Sequence, residues 1–392
     1  MSESLWLLNP SGQQQNGGFI DDTLRQRASE RGMLERLSKA AEFPRQRVEV
    51  LRVHDEVNDV NELYYRRGWT DGLPVIAPTL SRVDDMLERS PLSRSEAIAE
   101  LDPLRGLATV EKVAANAVMA GCQPEHFPVV VAAVQAVADP AFNLRGVQTT
   151  DENVTPAIVV SGPDVDALDI NDSFGALGPG WRGGAAIGRA VRLVMQNIGG
   201  GWPAAVSLAG LGQPGRYSLC FAENDKRSPW ETLREQHGYE STQTVVTVFR
   251  AETVVNVTGG LAELASVIGS SASAFSMAYG GHPLVVISPF TANRLAEQGA
   301  TKSDVQTWLF EHGRVERERF EEFWLRRETI DAHTWPSWIT EALADERLPI
   351  VEHPEDISVI VSGGDLEIAQ QAYLPTWGFP ACRVQRVVDL SV

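Results

Sequence analysis

The chain has 392 residues, 43% of them apolar and 22% charged, enough to bury a full core in one large α/β domain or two smaller ones. A formal charge of −18 excludes the clustered Lys and Arg of a nucleic-acid binder and disfavours adhesion to an anionic membrane. Cys122, Cys220 and Cys382 are scattered and odd in number, which is no disulfide framework. No apolar run reaches bilayer length and the N-terminus is not signal-like, so a soluble, cytoplasmic protein is expected.

In chain order, Met1 to about Pro44 is polar and Gly/Gln-rich, then helix-like from Asp22 to Glu42. It reads as an arm packed on the body or on a partner subunit, or as a loosely held tail. With the mixed segment to Arg67, where VEVLRV is a plausible strand, it forms a first division, 1–67. An α/β core, 68–313, and an aromatic helical segment with a returning strand–helix–strand unit, 314–392, complete the expected organisation.

A recurring unit sets the expected fold. GLPVIAPTLSRVDDML (Gly72 to Leu87), TPAIVVSGPDVDALDI (Thr155 to Ile170) and HPLVVISPFTANRLAEQG (His282 to Gly299) each show a short β run, a small residue with Pro, then helical periodicity. ISVIVSGGDLEIAQQA (Ile357 to Ala372) repeats the order with Gly-Gly in place of Pro. Short buried strands each feeding a helix predict a pseudo-duplicated α/β body with mixed, partly parallel sheets and helices packed on them.

Between the first two units, Ala108 to Val137 predicts two helices joined at a tight corner, with Gly121 closing the first and Pro124 opening the second. Cys122 then sits just before a helix N-terminus, which favours a thiolate, and His126 lies four residues on. The Gly-dense stretch from Ala176 to Gly200 opens into a helix and is a competent anion cradle, with Arg182 or Arg189 adding charge. A structural Gly loop is the alternative. TVVTVFRAETVVNV (Thr244 to Val257) predicts a β-hairpin, and YSLCFA before it a strand. Trp308, Phe310, Phe320, Phe323, Trp324, Trp335 and Trp338 form an aromatic stripe expected to be core or a homo-oligomer contact.

WTDGLPVIAPT, ATVEKVAANAVMAGCQPEHFPVV, the GPG…IGRA…NIGG stretch and CFAEN…SPW together resemble the large domain of UGSC-motif (seleno)proteins, over roughly Trp69 to Gly313. The UGSC segment itself is absent. The resemblance implies that Cys122, His126, Cys220, Glu223 and Asn224, which lie in its most distinctive strings, are the positions to weigh. It brings no reaction with it.

Three chemistries are therefore expected as alternatives. In the first, an enzyme acting on a small, anionic organic molecule uses Cys122 as nucleophile and His126 as base or ion-pair partner, with Glu111 and Lys112 in proton transfer. Asn116, Gln148, Thr149, Arg182, Asn197, Glu223, Asn224 and His282 would hold the substrate, with Trp69, Trp202 and Trp230 as walls. In the second, Cys122, His126, Cys220 and Glu223 ligate zinc or iron. In the third, the protein is a non-catalytic ligand-binding or assembly module.

Overall fold

The computed structural model describes residues 4–8, 50–54, 57–270, 281–322, 337–378 and 383–391. The expected arm helix, Phe323, Trp324, Trp335 and Cys382 lie outside these. In chain order the elements are β1 (Ser4–Leu8), β2 (Val50–His54), α1 (Val57–Arg67), α2 (Leu80–Leu87), β3 (Ala97–Leu101), β4 (Gly106–Thr109), α3 (Val110–Ala120) and α4 (Phe127–Ala138). There follow α5 (Leu144–Thr149), β5 (Thr155–Ser161), α6 (Arg182–Asn197), β6 (Cys220–Ala222), α7 (Leu233–Gln236), β7 (Val245–Ala251), β8 (Val255–Thr258) and α8 (Leu261–Ile268). The rest are β9 (Leu284–Ile287), α9 (Pro289–Glu297), α10 (Lys302–His312), β10 (Val315–Glu316), α11 (Arg317–Phe320), α12 (Ser337–Ala342), β11 (Arg347–Leu348), β12 (Ser358–Val361), β13 (Gln370–Leu374) and β14 (Val384–Val387).

Two four-stranded mixed sheets make the body. One runs β14-β7-β5-β6 with β5 and β6 parallel; the other runs β12-β9-β13-β8 with β9 and β12 parallel. Every other pair in them is antiparallel. Strand alternation sends successive side chains to opposite faces, and the burial follows it. Ala157, Val159, Phe221 and Phe249 of the first sheet meet Leu284, Val286, Ile360 and Leu374 of the second in one apolar layer. The opposite faces of the sheets carry helices: α3, α4 and α6 on Ile158, Val160, Val246 and Val248, and α8 and α10 on Val285, Ile287, Val359 and Tyr373. The result is four layers, helix–sheet–sheet–helix.

The two halves share one topology. A strand, helical crossover and parallel strand (β5–α6–β6 and β9–α9–α10–β12) are followed by a strand antiparallel to the first (β7 and β13). The next strand then leaves for the other sheet: β8 pairs with β13, and β14 pairs with β7. The two departing chains run alongside each other, with Ala251 bridged to Thr376, Glu252 N–H donating to Pro375 O at 2.9 Å and Trp377 N–H to Arg250 O at 2.9 Å.

This corrects the expected hairpin. Both strands form, but β7 already has β5 on one edge and β14 on the other, so β8 has no edge of β7 to join. The recurring unit is also only partly realised. HPLVVISPF gives β9 and α9 as expected, but GLPVIA forms no strand, because Val75 N–H bonds Asn61 Oδ1 at 2.6 Å and Ile76 N–H bonds Met119 O at 3.2 Å. After β5 the chain turns repeatedly instead of forming a helix, with Asp169 at φ 50. After β12 it turns at Gly363, φ 96, and leads into β13 without the expected helix. Of the aromatic stripe, Phe320 is buried in the second core and Trp308, Phe310 and Trp338 pack against it.

Candidate functional site

The corner that the sequence singles out forms as expected. Thr109 caps α3 by accepting from Lys112 N–H at 3.4 Å, Gly121 ends it in the left-handed region (φ 94), and Cys122 N–H closes the turn on Ala117 O at 3.0 Å. Pro124 then opens a single 3₁₀ turn leading into α4. The helices that meet there are almost wholly buried, however. All of α3 except Glu111 is buried, and Cys122 sits in the aliphatic cluster between the helices and the first sheet. Burial pushes its thiol up, the Cys220 thiol adds to this, and Arg189 only partly offsets it. Cys220 faces the same layer and is pushed up to about 12 by burial. A thiol held protonated is a small hydrophobe and not a nucleophile.

His126 is occupied elsewhere. Its Nδ1 accepts from Gln123 N–H at 3.1 Å and its ring bonds the Leu168 carbonyl, while burial holds its basicity below the usual range. It fixes the corner backbone. With both cysteines in place, iodoacetamide at neutral pH should label Cys122 and Cys220 at least about a hundredfold more slowly than an unhindered thiol, and urea should abolish the difference. Peptide mass spectrometry reads this, and rapid labelling of native Cys122 would restore the nucleophile.

The remaining residues of the thiol and metal readings disperse. Glu111 pairs with Arg94 at 2.6 Å, and Lys112 is buried with Nζ on Leu107 O at 2.9 Å. Glu223 accepts from Leu233 N–H and from Ser161 Oγ at 2.9 Å, 3.9 Å from the Lys302 ammonium, and Asn224 ties Asp172 O to Arg227 N–H. Lys302 Nζ is itself buried and has no hydrogen-bond partner among the described residues. His282 faces Asp356 at 3.3 Å, and Trp230 donates to Ala300 O, both against the second half. Among the described residues no three His, Cys, Asp or Glu side chains gather as a metal site, so the set Cys122, His126, Cys220 and Glu223 does not converge.

The Gly-rich cradle is filled by the chain itself. Arg182 N–H donates to Asp169 Oδ2 at 3.0 Å and Gly183 N–H to Asp169 O at 2.9 Å, so Asp169 takes the place of an anion at the start of α6. Thr149 Oγ1 only caps Arg145 O. Gln148 Nε2 donates to Asp102 O at 2.5 Å, and a Cβ on Gly201 would overlap Gln148 Oε1. The bare glycine there admits a neighbouring side chain and not a ligand.

The polar face of α6 does build a cleft, one turn further on. Asn197 Nδ2 bonds Trp69 O (2.9 Å) and Asn116 Oδ1 (2.7 Å), and Gln196 Nε2 bonds Thr70 O (3.2 Å). Arg189 makes a fork on Asp71 at 2.8 and 2.9 Å and also reaches Pro74 O. These bonds lash the Trp69–Pro74 segment along the helix. The cleft beside it has a volume of about 490 Å³ and is lined by Asp71, Arg192, Gln196 and the loop from Pro203 to Tyr217. The loop is anchored by Gln213 Nε2 on three carbonyls, those of Asn153, Ala251 and Glu252.

Two guanidinium groups face this cleft. Arg192 donates to Gly201 O at 3.1 Å, and Arg216 to Ser207 Oγ and Glu152 O at 3.0 Å each. Burial, and next the charge of Arg216, bring Arg192 down to about 10, with Asp71 acting the other way. Burial also lowers Arg216, whose Nε is buried with no partner among the described residues. Asp71, the acid lining the cleft, is already engaged by Arg189 and held below the usual carboxylate range despite its burial. Neither Arg192 nor Arg216 is among the site residues expected from the sequence. For Arg192 the available signal was spacing: Arg189, Arg192 and Gln196 recur at three and four residues on one side of α6.

Fold and cleft together define a mixed α/β protein of four layers with an arginine-lined pocket. No family model matches the chain, and no curated protein matches it. Among the described residues no single helix is long and apolar enough to cross a membrane.

Proposed function

We propose that the protein binds and acts on a small organic anion, held by its charged group between Arg192 and Arg216. One observation carries this reading: two like charges are held together in a single cleft whose one lining carboxylate is committed to a third arginine. Two guanidinium groups brought together repel each other, and an anion in the cleft relieves that repulsion and takes charge-assisted bonds from both. The expectation of an anionic small molecule is retained, with the cleft in place of the Gly-rich cradle. Thiol chemistry at Cys122 is not part of the reading, since its sulfur lies in the aliphatic layer.

The resemblance to the UGSC proteins enters on the same terms. Its WTDGLP string contributes Asp71 and its IGRA…NIGG stretch spans Arg189, Arg192 and Gln196, so shared strings would preserve one wall of the cleft.

Titration with benzoate and with inorganic phosphate, followed by calorimetry, tests it. Saturable binding should weaken about 10- to 100-fold in Arg216→Gln and in Arg192→Gln, the loss of a charge-assisted bond of ~1.5–3 kcal/mol. It should also weaken as salt rises. Binding that neither substitution changes, in proteins with native circular dichroism, would remove the proposal.

A further inference from the structure

The cleft is far larger than a small inorganic anion requires, and apolar side chains share its lining with the two arginines. We infer that the ligand is a monocarboxylate with an extended apolar body, an alkyl or aryl acid, which lies along the Pro203–Tyr217 loop. This rests on the anion reading above and deepens it.

A volume of about 490 Å³ falls in the range of pockets that enclose whole organic molecules, and a bare inorganic anion would leave most of it unfilled. Besides the two arginines and the polar Asp71, Gln196, Ser207 and Gln213, the lining carries the apolar Pro203, Ala209, Leu211 and Pro214 and the aromatic Tyr217. Leu211 is 94% exposed and Tyr217 51%, so their apolar surface faces solvent at the cleft until something covers it.

Charge points the same way. The chain carries −18 overall, so a free polyanion is repelled at long range and gains only from two local arginines. A single carboxylate matches the donors present: the Arg192 guanidinium beyond its bond to Gly201 O, and the Arg216 guanidinium beyond its bonds to Ser207 Oγ and Glu152 O. The planar guanidinium fork suits a planar two-oxygen acceptor, and the remaining affinity then comes from apolar contact with the loop.

Calorimetric titration of the full chain with acetate, butanoate, hexanoate, octanoate and hexanamide tests this. Affinity should rise about fourfold per added methylene until the cleft is full, from ~0.8 kcal/mol per buried CH₂. Hexanamide should bind at least about tenfold more weakly than hexanoate. Leu211→Ser, at a position whose side chain is in solvent, should cost octanoate about fivefold and leave acetate unchanged. Equal affinity for acetate and octanoate, still lost in Arg216→Gln, overturns the apolar body and leaves the anion reading standing. Octanoate and hexanamide binding alike, both indifferent to Arg216→Gln, overturns the two together.

Discussion

Glu223→Ala is expected to lower the free energy of unfolding by about 3–5 kcal/mol, the cost of breaking a buried ion pair from one side. The Glu223 carboxylate is fully buried at the end of β6, where it accepts from Leu233 N–H at the start of α7 and from Ser161 Oγ at the end of β5. Its counter-charge, Lys302, comes from the second half of the chain, at the first turn of α10, 3.9 Å away. Burial drives the pair towards neutrality from both sides, raising the acid and lowering the base, while each opposes that drift in the other. Removing the acid strands the ammonium, which has no hydrogen-bond partner among the described residues to fall back on. It also orphans the Leu233 N–H. Glu223→Gln keeps an acceptor and should lose less. Glu223→Leu combined with Lys302→Met removes both charges and should recover most of the loss, as replacing whole buried pairs does elsewhere. Urea denaturation followed by tryptophan fluorescence measures all three. A Glu223→Ala protein within 1 kcal/mol of wild type would show that the pair does not hold the halves together.

That role explains why Glu223 looked like a ligand-binding residue. A Glu-Asn pair after a short strand reads as a polar loop, and nothing local distinguishes an acid facing substrate from one facing a lysine 79 positions later. The same limit governs the rest of the site. Local rules made the Cys122 corner legible down to Gly121 and Pro124, because helix stop and start chemistry is written within a few residues. They could not say that the corner is enclosed by a sheet face contributed by β5, β6 and β7. His126 was placed on the right turn, yet its partners are a backbone N–H and the Leu168 carbonyl, groups with no sequence signature. Strand existence was readable for β5, β7, β9 and β12 from β-branched runs and for β6 from a weak alternation, but strand partners were not. Pairing β7 with β8 was the shortest-range solution, and the fold instead gives each an edge in a different sheet.

That exchange has a thermodynamic consequence, and Phe249→Ala measures it. Phe249 is fully buried on β7, in the layer where the two sheets meet, beside Phe221, Leu284, Ile360 and Leu374. Truncating it should cost about 3–5 kcal/mol, from lost transfer energy plus the cavity left in a layer with sheet on both sides. The further expectation is where that loss is felt. Because β8 continues directly from β7 but is hydrogen-bonded to β13, and β14 follows β13 but is bonded to β7, neither sheet can be completed unless both halves are folded. Freeing one half would strip an edge strand from the other and expose backbone donors and acceptors along β7 and β13. Amide hydrogen exchange should therefore accelerate in β9 and β12 by the same factor as in β5, although Phe249 lies in the first sheet and those strands in the second. Denaturation should stay a single transition in both wild type and variant. Faster exchange confined to β5, β6 and β7, with β9 and β12 as protected as before, would mean that the halves open independently. The crossed strands would then be a connection and not a clasp.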